Sequence, residues 1–162
     1  MTMKEIFAEL TTGKICGMTE RDVFAFKGIP YGAPTGGSHR FLPPEPVKPW
    51  AGIRYAGDYG PICFQTGFLV DEERNYANAR AEGHIRYLPQ SENCLVLNVW
   101  TPGLKDSGKR PVMVWLHGRG HYAGAGSEAM YNGANLAKRG DVVVITVNHR
   151  LNVFGYLYLD EI

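Results

Sequence analysis

The residues best able to do chemistry lie in one short run, His117-Gly-Arg-Gly-His-Tyr-Ala-Gly-Ala-Gly126. Its four glycines let backbone N–H groups turn toward a single point. Acyl transfer needs such a point, because negative charge develops on a carbonyl oxygen in the transition state and preorganised donors must meet it. Taken alone, the run reads more simply as a glycine-rich turn at a strand end. A serine nucleophile of the Gly-x-Ser-x-Gly type is absent from the 162 residues. His117 and His121 have the i, i+4 spacing that could hold a metal on a helix, but they sit among glycines without an accompanying Glu, so no metal site is expected. Cys16, Cys63 and Cys94 form no C-x-x-C pair, which removes support for a thiolate metal site or a dithiol redox site. No cofactor is expected.

Composition narrows the partners. Apolar residues make up 44% and charged residues 20%, the balance of a soluble globular protein. The net charge is +1 and no Lys/Arg run exceeds two, so no electrostatic footprint for nucleic acid or an anionic membrane is present. No segment approaches the roughly 20 apolar residues of a membrane span. The start, Met1–Leu10, has no apolar stretch of signal-peptide length. A cytoplasmic protein is expected, or a secreted one if a leader has been removed.

The glycine-rich run must be held by neighbouring elements. Residues 4–10 and 14–27, around Thr11-Thr12-Gly13, predict an antiparallel hairpin with a further strand. Residues 28–50, rich in Pro and Gly, predict an ordered loop, since Pro removes a donor and fixes φ. Residues 64–90 predict a polar excursion with a helix-compatible stretch at Asp71–Glu82. Leu95–Trp100, Pro111–Leu116 and Asp141–Val147 are continuous apolar runs, as expected of strands buried on both faces. Ala134–Arg139 reads as a short helix ended by Gly140. Strand, loop, helix and strand then form a βαβ crossover. The fold class is α/β: a mostly parallel central sheet with an antiparallel amino-terminal hairpin, residues 1–162 forming the amino-terminal segment of a single domain that is incomplete without further polypeptide. The sequence stops at Ile162, just after apolar Val153–Leu159, so the sheet is expected to need further polypeptide to cover its edge.

Five motifs carry a resemblance. Phe26-Lys-Gly-Ile-Pro-Tyr-Gly-Ala-Pro34, Arg40-Phe-Leu-Pro-Pro-Glu-Pro46 with Trp50-Ala-Gly52, Tyr59-Gly-Pro-Ile-Cys-Phe-Gln65, Ser91-Glu-Asn-Cys-Leu-Val-Leu-Asn-Val-Trp-Thr-Pro102 and Gly140–Leu151 with Phe154-Gly155 occur in order. Together they resemble the amino-terminal part of type-B carboxylesterases, a family of α/β-hydrolases that includes nitrobenzyl esterases and cholinesterases. The resemblance implies a serine esterase acting through an acyl-enzyme on a small-molecule ester. It also implies that the nucleophile arrives with a complementary carboxy-terminal polypeptide carrying Gly-x-Ser-x-Gly, and that this chain alone is inactive. The amides of Arg119 and Gly120 would be oxyanion-hole donors, with Gly118, His121 and Tyr122 beside the substrate. His117 would be structural. Cys63 and Cys94 match a pair that some members join as a disulfide; in a reducing compartment two buried thiols are the other reading. Arg40 and Glu92 match a structural ion pair, and Arg150 a structural anchor.

Three positions depart from the family pattern. Arg119 stands where glycine is usual, at a cost of about 1 kcal/mol or more if φ must be positive. It would either tilt an amide out of line or place a cation near the acyl pocket. His121 replaces an aromatic residue, and Asn93 an aspartate. Trp50, Trp100 and Trp115 all lie outside the Cys63–Cys94 loop, where cholinesterases hold a cation-binding Trp, so a choline ester is disfavoured. A non-catalytic, cholinesterase-like binding or adhesion protein, or an inactive truncated domain, is the alternative reading.

Overall fold

A computed structural model describes residues 4–65 and 89–158. The helix-compatible stretch Asp71–Glu82 lies outside the described residues. β1 (Glu5–Leu10) alternates exposed and half-buried positions, with Ile6, Ala8 and Leu10 packed inward. It pairs antiparallel with β2 (Gly13–Glu20), Glu5 opposite Met18 and Leu10 opposite Gly13. Arg21 and Asp22 both have positive φ, 50° and 65°, and make the two-residue turn into β3 (Val23–Pro30).

The Pro-rich loop begins later than position 28. Ile29 and Pro30 pair with Leu97 and Val96 of β5 (Val96–Thr101), after a register shift between Phe26 and Ile29. Gly28 takes φ 65° at this shift, where its N–H donates to Asn98 Oδ1 at 3.0 Å. Pro30 is tolerated because it is the last residue of its strand.

The sheet runs β1-β2-β3-β5-β7-β6, with β4 (Ile53–Tyr55) pairing parallel to the first half of β2. β5 is antiparallel to both β3 and β7 (Val143–Val147), although its apolar run is as continuous as that of a parallel strand. The crossover expected from the sequence is present: β6 (Val112–Leu116) and β7 are parallel neighbours in register from Val112–Val143 to Leu116–Val147. Between them lies α1 (Ala134–Gly140). Gly140 does not end this helix in the left-handed conformation; Asp141 does, with φ 47°. Its N–H donates to the Ala137 carbonyl, and its carboxylate accepts from Arg110 Nε at 2.7 Å, which secures a conformation that Asp tolerates better than most residues. A second short helix, α2 (Asn152–Tyr156), follows β7.

Each face of the sheet carries a core. On one, Ala134 and Ala137 of α1, both fully buried, lie against Trp100, Val144, Val23 and Ala25. Small residues at i and i+3 let the helix backbone approach the Trp100 ring. On the other, Ile15, Phe26, Ile29 and Ala56 pack with Trp50, Leu97 and Val99. β6 overturns the expectation of burial on both faces. Its five residues are 46–67% exposed, Val114 at 59% and Leu116 at 67%, because the strand forms a sheet edge that no described element covers.

The core around α1 leaves no room for an extra methyl group at Gly133. A Cβ there would lie 2.7 Å from Val144 Cγ1 and 2.8 Å from Trp100 Cε3, both fixed in the core, whereas at Gly140 it would meet Val142 at 3.4 Å. Gly133→Ala is expected to lower the free energy of unfolding by about 1–3 kcal/mol, the usual cost of overpacking. Gly140→Ala should be neutral within about 0.5 kcal/mol. Urea midpoints of the two variants measure this, and equal midpoints would show that α1 is not seated against Trp100.

Candidate active site

The glycine-rich run leaves β6 at Leu116 and divides into two parts. Gly118, Gly120, His121 and Tyr122 are exposed and Arg119 is half-buried, whereas residues 123–128 are all buried. In the exposed arc, Arg119, Gly120 and His121 have φ of 76°, 60° and 71° in succession. Tyr122 N–H donates to the Arg119 carbonyl at 3.4 Å, so the arc is a tight turn of left-handed sense. The amides of Gly120 and His121 donate to no acceptor among the described residues. A glycine adopts such dihedrals freely, but Arg119 and His121 each do so at roughly 1–2 kcal/mol. The surroundings must therefore impose them.

The buried part supplies that constraint through side chains that bind its backbone. Gln65 Oε1 accepts the Gly124 N–H at 2.7 Å and Gln65 Nε2 donates to the Gly124 carbonyl at 3.1 Å. Glu128 Oε1 accepts from Ala125 N–H at 3.3 Å. Asn148 Oδ1 accepts the Gly126 N–H at 2.8 Å, while Asn98 Nδ2 donates to the Gly126 carbonyl and to Thr146 Oγ1. Asn148 is itself fixed, donating to the Pro61 carbonyl and accepting from the Tyr31 hydroxyl at its own carbonyl. Burial pushes Tyr31 up to about 12, so this hydroxyl keeps its proton at neutral pH. Two glycines are obligatory here. A Cβ on Gly124, where φ is 107°, would stand 2.5 Å from His117 Nδ1, and one on Gly126 would stand 2.9 Å from the Val147 amide nitrogen.

Arg119 directs its guanidinium to the buried part of the loop. Its Nη2 meets Glu128 Oε2 at 3.0 Å, with Glu128 side chain 6% exposed and that of Arg119 31%. On the other side of the loop, Asn152 N–H at the start of α2 donates to the His121 carbonyl at 2.7 Å, and the His121 ring lies 4.4 Å from that of Tyr156. His117 is buried and donates from Nδ1 to the Gly118 carbonyl. Its ring stacks on His149 at 4.5 Å. Burial holds both imidazoles below the ordinary histidine value, aided at His149 by the neighbouring His117 and His121. Both are neutral at pH 7.

A cleft of about 510 Å³ opens beside the arc at the carboxyl ends of the parallel pair, lined by Leu116, Val147, His117, His121, His149, Arg150, Tyr156, Tyr31 and Leu95. In an open α/β sheet this is where ligands bind. Gly118, Arg119 and Gly120, between His117 and His121, and Tyr122, after His121, are not part of this lining.

The remaining singled-out residues make structural contacts outside the arc. Arg40 and Glu92 form a bidentate pair through Nε and Nη2, which fastens the Pro-rich loop to the segment before β5. Arg150 anchors the same loop through the Leu42 carbonyl at 2.9 Å. Cys63 and Cys94 are free, buried thiols that share a cluster with Leu151 and Phe154. The neighbouring Cys94 thiol and the Leu151 N–H, which donates to Cys63 Sγ at 3.1 Å, hold Cys63 below the ordinary thiol value against the effect of burial, while Cys94 is pushed up. Among the described residues no group of His, Cys, Asp and Glu is placed to hold a metal ion. No helix among the described residues is long and apolar enough to cross a membrane.

Four residues of the clamp were not singled out from the sequence: Gln65, Asn98, Glu128 and Asn148. Asn98 left one signal, an amide inside an apolar strand, which must be bonded if buried. The others lie in loops, where polar residues attract no notice.

The sheet order, the crossover and the loop at its carboxyl end define the amino-terminal portion of an α/β-hydrolase-type esterase fold. The chain belongs to the carboxylesterase family, whose model matches residues 4–161. It is 45% identical over 150 residues to the para-nitrobenzyl esterase of Bacillus subtilis (strain 168), covering 92% of this chain and 28% of that protein. It is 39% identical over 155 residues to carboxylesterase 3 of Homo sapiens, covering 91% and 26%. A solved PNB esterase structure superposes with a TM-score of 0.82 at 40% identity, over 94% of this chain and 29% of that one. The chain thus spans less than a third of the length of these relatives.

The two neutral histidines give the site a pH signature. Their folded-state values lie below the unfolded value near 6.5, so the unfolded chain binds protons that the fold refuses. Their contribution is fully present above about pH 6.5 and is lost as pH falls toward the folded values, at up to about 1.4 kcal/mol per pH unit for each imidazole. Urea unfolding at pH 7.5 and 5.5 should show a fall in stability that His149→Gln reduces. An identical fall in the variant would show that His149 titrates as it does in the unfolded chain.

Proposed function

We propose that this chain supplies the oxyanion-hole segment of a serine carboxylic ester hydrolase. The observation that carries the reading is the arc Arg119–His121. Its positive dihedrals, and a Gly120 amide that donates to no acceptor among the described residues, sit at the carboxyl end of a parallel strand pair in a carboxylesterase-family chain. The substrate is a neutral or acidic ester of a small alcohol or phenol. The nucleophile comes from further polypeptide that adds to the sheet along β6, and the exposed apolar strand Val112–Leu116 supports that placement.

In the assembled enzyme a serine hydroxyl attacks the ester carbonyl carbon and passes its proton to a general base. The carbonyl oxygen becomes an oxyanion, and the amides of Arg119 and Gly120 donate to it together with the amide following the serine. The carbon–oxygen bond to the alcohol then breaks, the alcohol leaves with the proton, and an acyl-enzyme remains. Water repeats the attack and releases the acid. We assign His121, which lines the cleft, to the substrate's surroundings, with Gly118 and Tyr122 exposed in the same loop outside that lining. Rigid donors matter most here, since losing one typically costs about 10²–10³ in turnover.

Two measurements test the reading. The purified 162-residue chain should not hydrolyse p-nitrophenyl acetate above background. The protein completed by its carboxy-terminal polypeptide should hydrolyse it, and a serine-directed phosphonate should stop turnover and label the added polypeptide. Label on this chain with loss of turnover would refute the division of labour. A completed protein that neither turns over esters nor takes label would instead be a non-catalytic binding protein.

A further inference from the structure

We propose that the Arg119–Glu128 ion pair is a latch that positions the oxyanion arc, so that Arg119 acts through its backbone while its side chain and Glu128 serve as positioning groups. The inference rests on the esterase reading for its kinetic consequence, but its structural content is independent of it. Arg119 holds φ 76° with a Cβ that disfavours it, and two residues later His121 does the same at 71°. His121 is secured by the Asn152 N–H on its carbonyl. Arg119 is secured by Glu128, nine residues ahead in the buried part of the loop.

Glu128 is suited to this because its two oxygens face different partners. Oε1 accepts from the Ala125 amide inside the clamp and Oε2 meets the guanidinium at the arc. One buried carboxylate thereby ties the exposed arc to the stretch that Gln65, Asn98 and Asn148 hold against the sheet. The same geometry decides between two roles for the cation. A guanidinium that recognised an acidic acyl group would extend from the loop toward the cleft, whereas this one is engaged by Glu128, and Arg119 does not line the cleft. A charged carboxylate with little exposure also requires a charged partner, so the two residues depend on each other.

The latch makes Arg119→Ala the informative variant, because it keeps the Cβ that resists positive φ and removes the tether. In the 162-residue chain, amide hydrogen exchange of the segment 117–126 is expected to accelerate about 10-fold or more in Arg119→Ala, with exchange in β1–β3 unchanged. In the completed enzyme the same variant should lose roughly 10-fold or more in kcat on p-nitrophenyl acetate, with KM changed less than about 3-fold. A trifluoromethyl ketone, which mimics the tetrahedral intermediate, should weaken by the same factor as kcat/KM. The double variant Arg119→Gly/Glu128→Gln should recover most of the loss, since glycine adopts the dihedrals unaided and glutamine leaves no unpaired charge. Unchanged exchange in Arg119→Ala would overturn the latch whatever the activity. A KM increase confined to carboxylate-bearing esters would overturn it in favour of substrate recognition by the guanidinium. If the completed wild-type protein has no esterase activity, the functional reading fails, and the exchange measurement alone decides the latch.

Discussion

The backbone of Gly124–Gly126 must be satisfied without water and without secondary structure, and the rest of the site follows from how that is done. An unpaired buried peptide group costs about 1–3 kcal/mol. Here the missing partners are side chains: Gln65 on both groups of Gly124, Glu128 on Ala125, Asn148 and Asn98 on the two groups of Gly126. Gln65, Asn98 and Asn148 come from distant segments, so the loop is stitched at once to the chain just after Cys63, to β5 and to the end of β7. Gly126 can make these bonds only because it has no Cβ to collide with Val147.

A buried clamp of this kind allows the adjoining arc to be strained and exposed together. Residues 119–121 face solvent with dihedrals that non-glycine residues avoid, yet both ends are fixed by buried or hydrogen-bonded groups. Stabilisation of developing charge works through donors that need no reorganisation when the charge appears. Rigidity imposed from below keeps the dihedrals of the arc fixed. Arg119, unusual for its place, fits the scheme because its charge is engaged by Glu128 rather than left beside the cleft.

The same sheet that anchors the loop presents an open apolar edge. β6 carries the loop and pairs with β7 on one side only, with its five residues largely exposed. Any polypeptide that pairs with this edge would lie beside the arc, since β6 ends at Leu116 and the loop starts at His117. Covering the apolar edge and bringing a group beside the arc would then be one event.

Much of this was legible in the sequence. Apolar runs bounded by Gly and Pro located β5, β6 and β7 to within one or two residues, because β-branched and large apolar residues at consecutive positions suit a pleated sheet strand whether or not each is covered. The glycines of 118–126 marked a loop at a strand end, and the order of five motifs pointed to the carboxylesterase family. What the tertiary structure alone decided is what depends on contacts between distant residues. Pairing direction is one case, since β5 is antiparallel on both sides although its composition suits either arrangement. The exposure of β6 is another, because an edge strand and a central one share the same apolar side chains. The partners of Gln65, Asn98, Glu128 and Asn148, and the direction taken by Arg119, are the third. A hydrogen-bond partner 28 or 59 positions away leaves no periodicity in the chain, and only the folded geometry brings the two together.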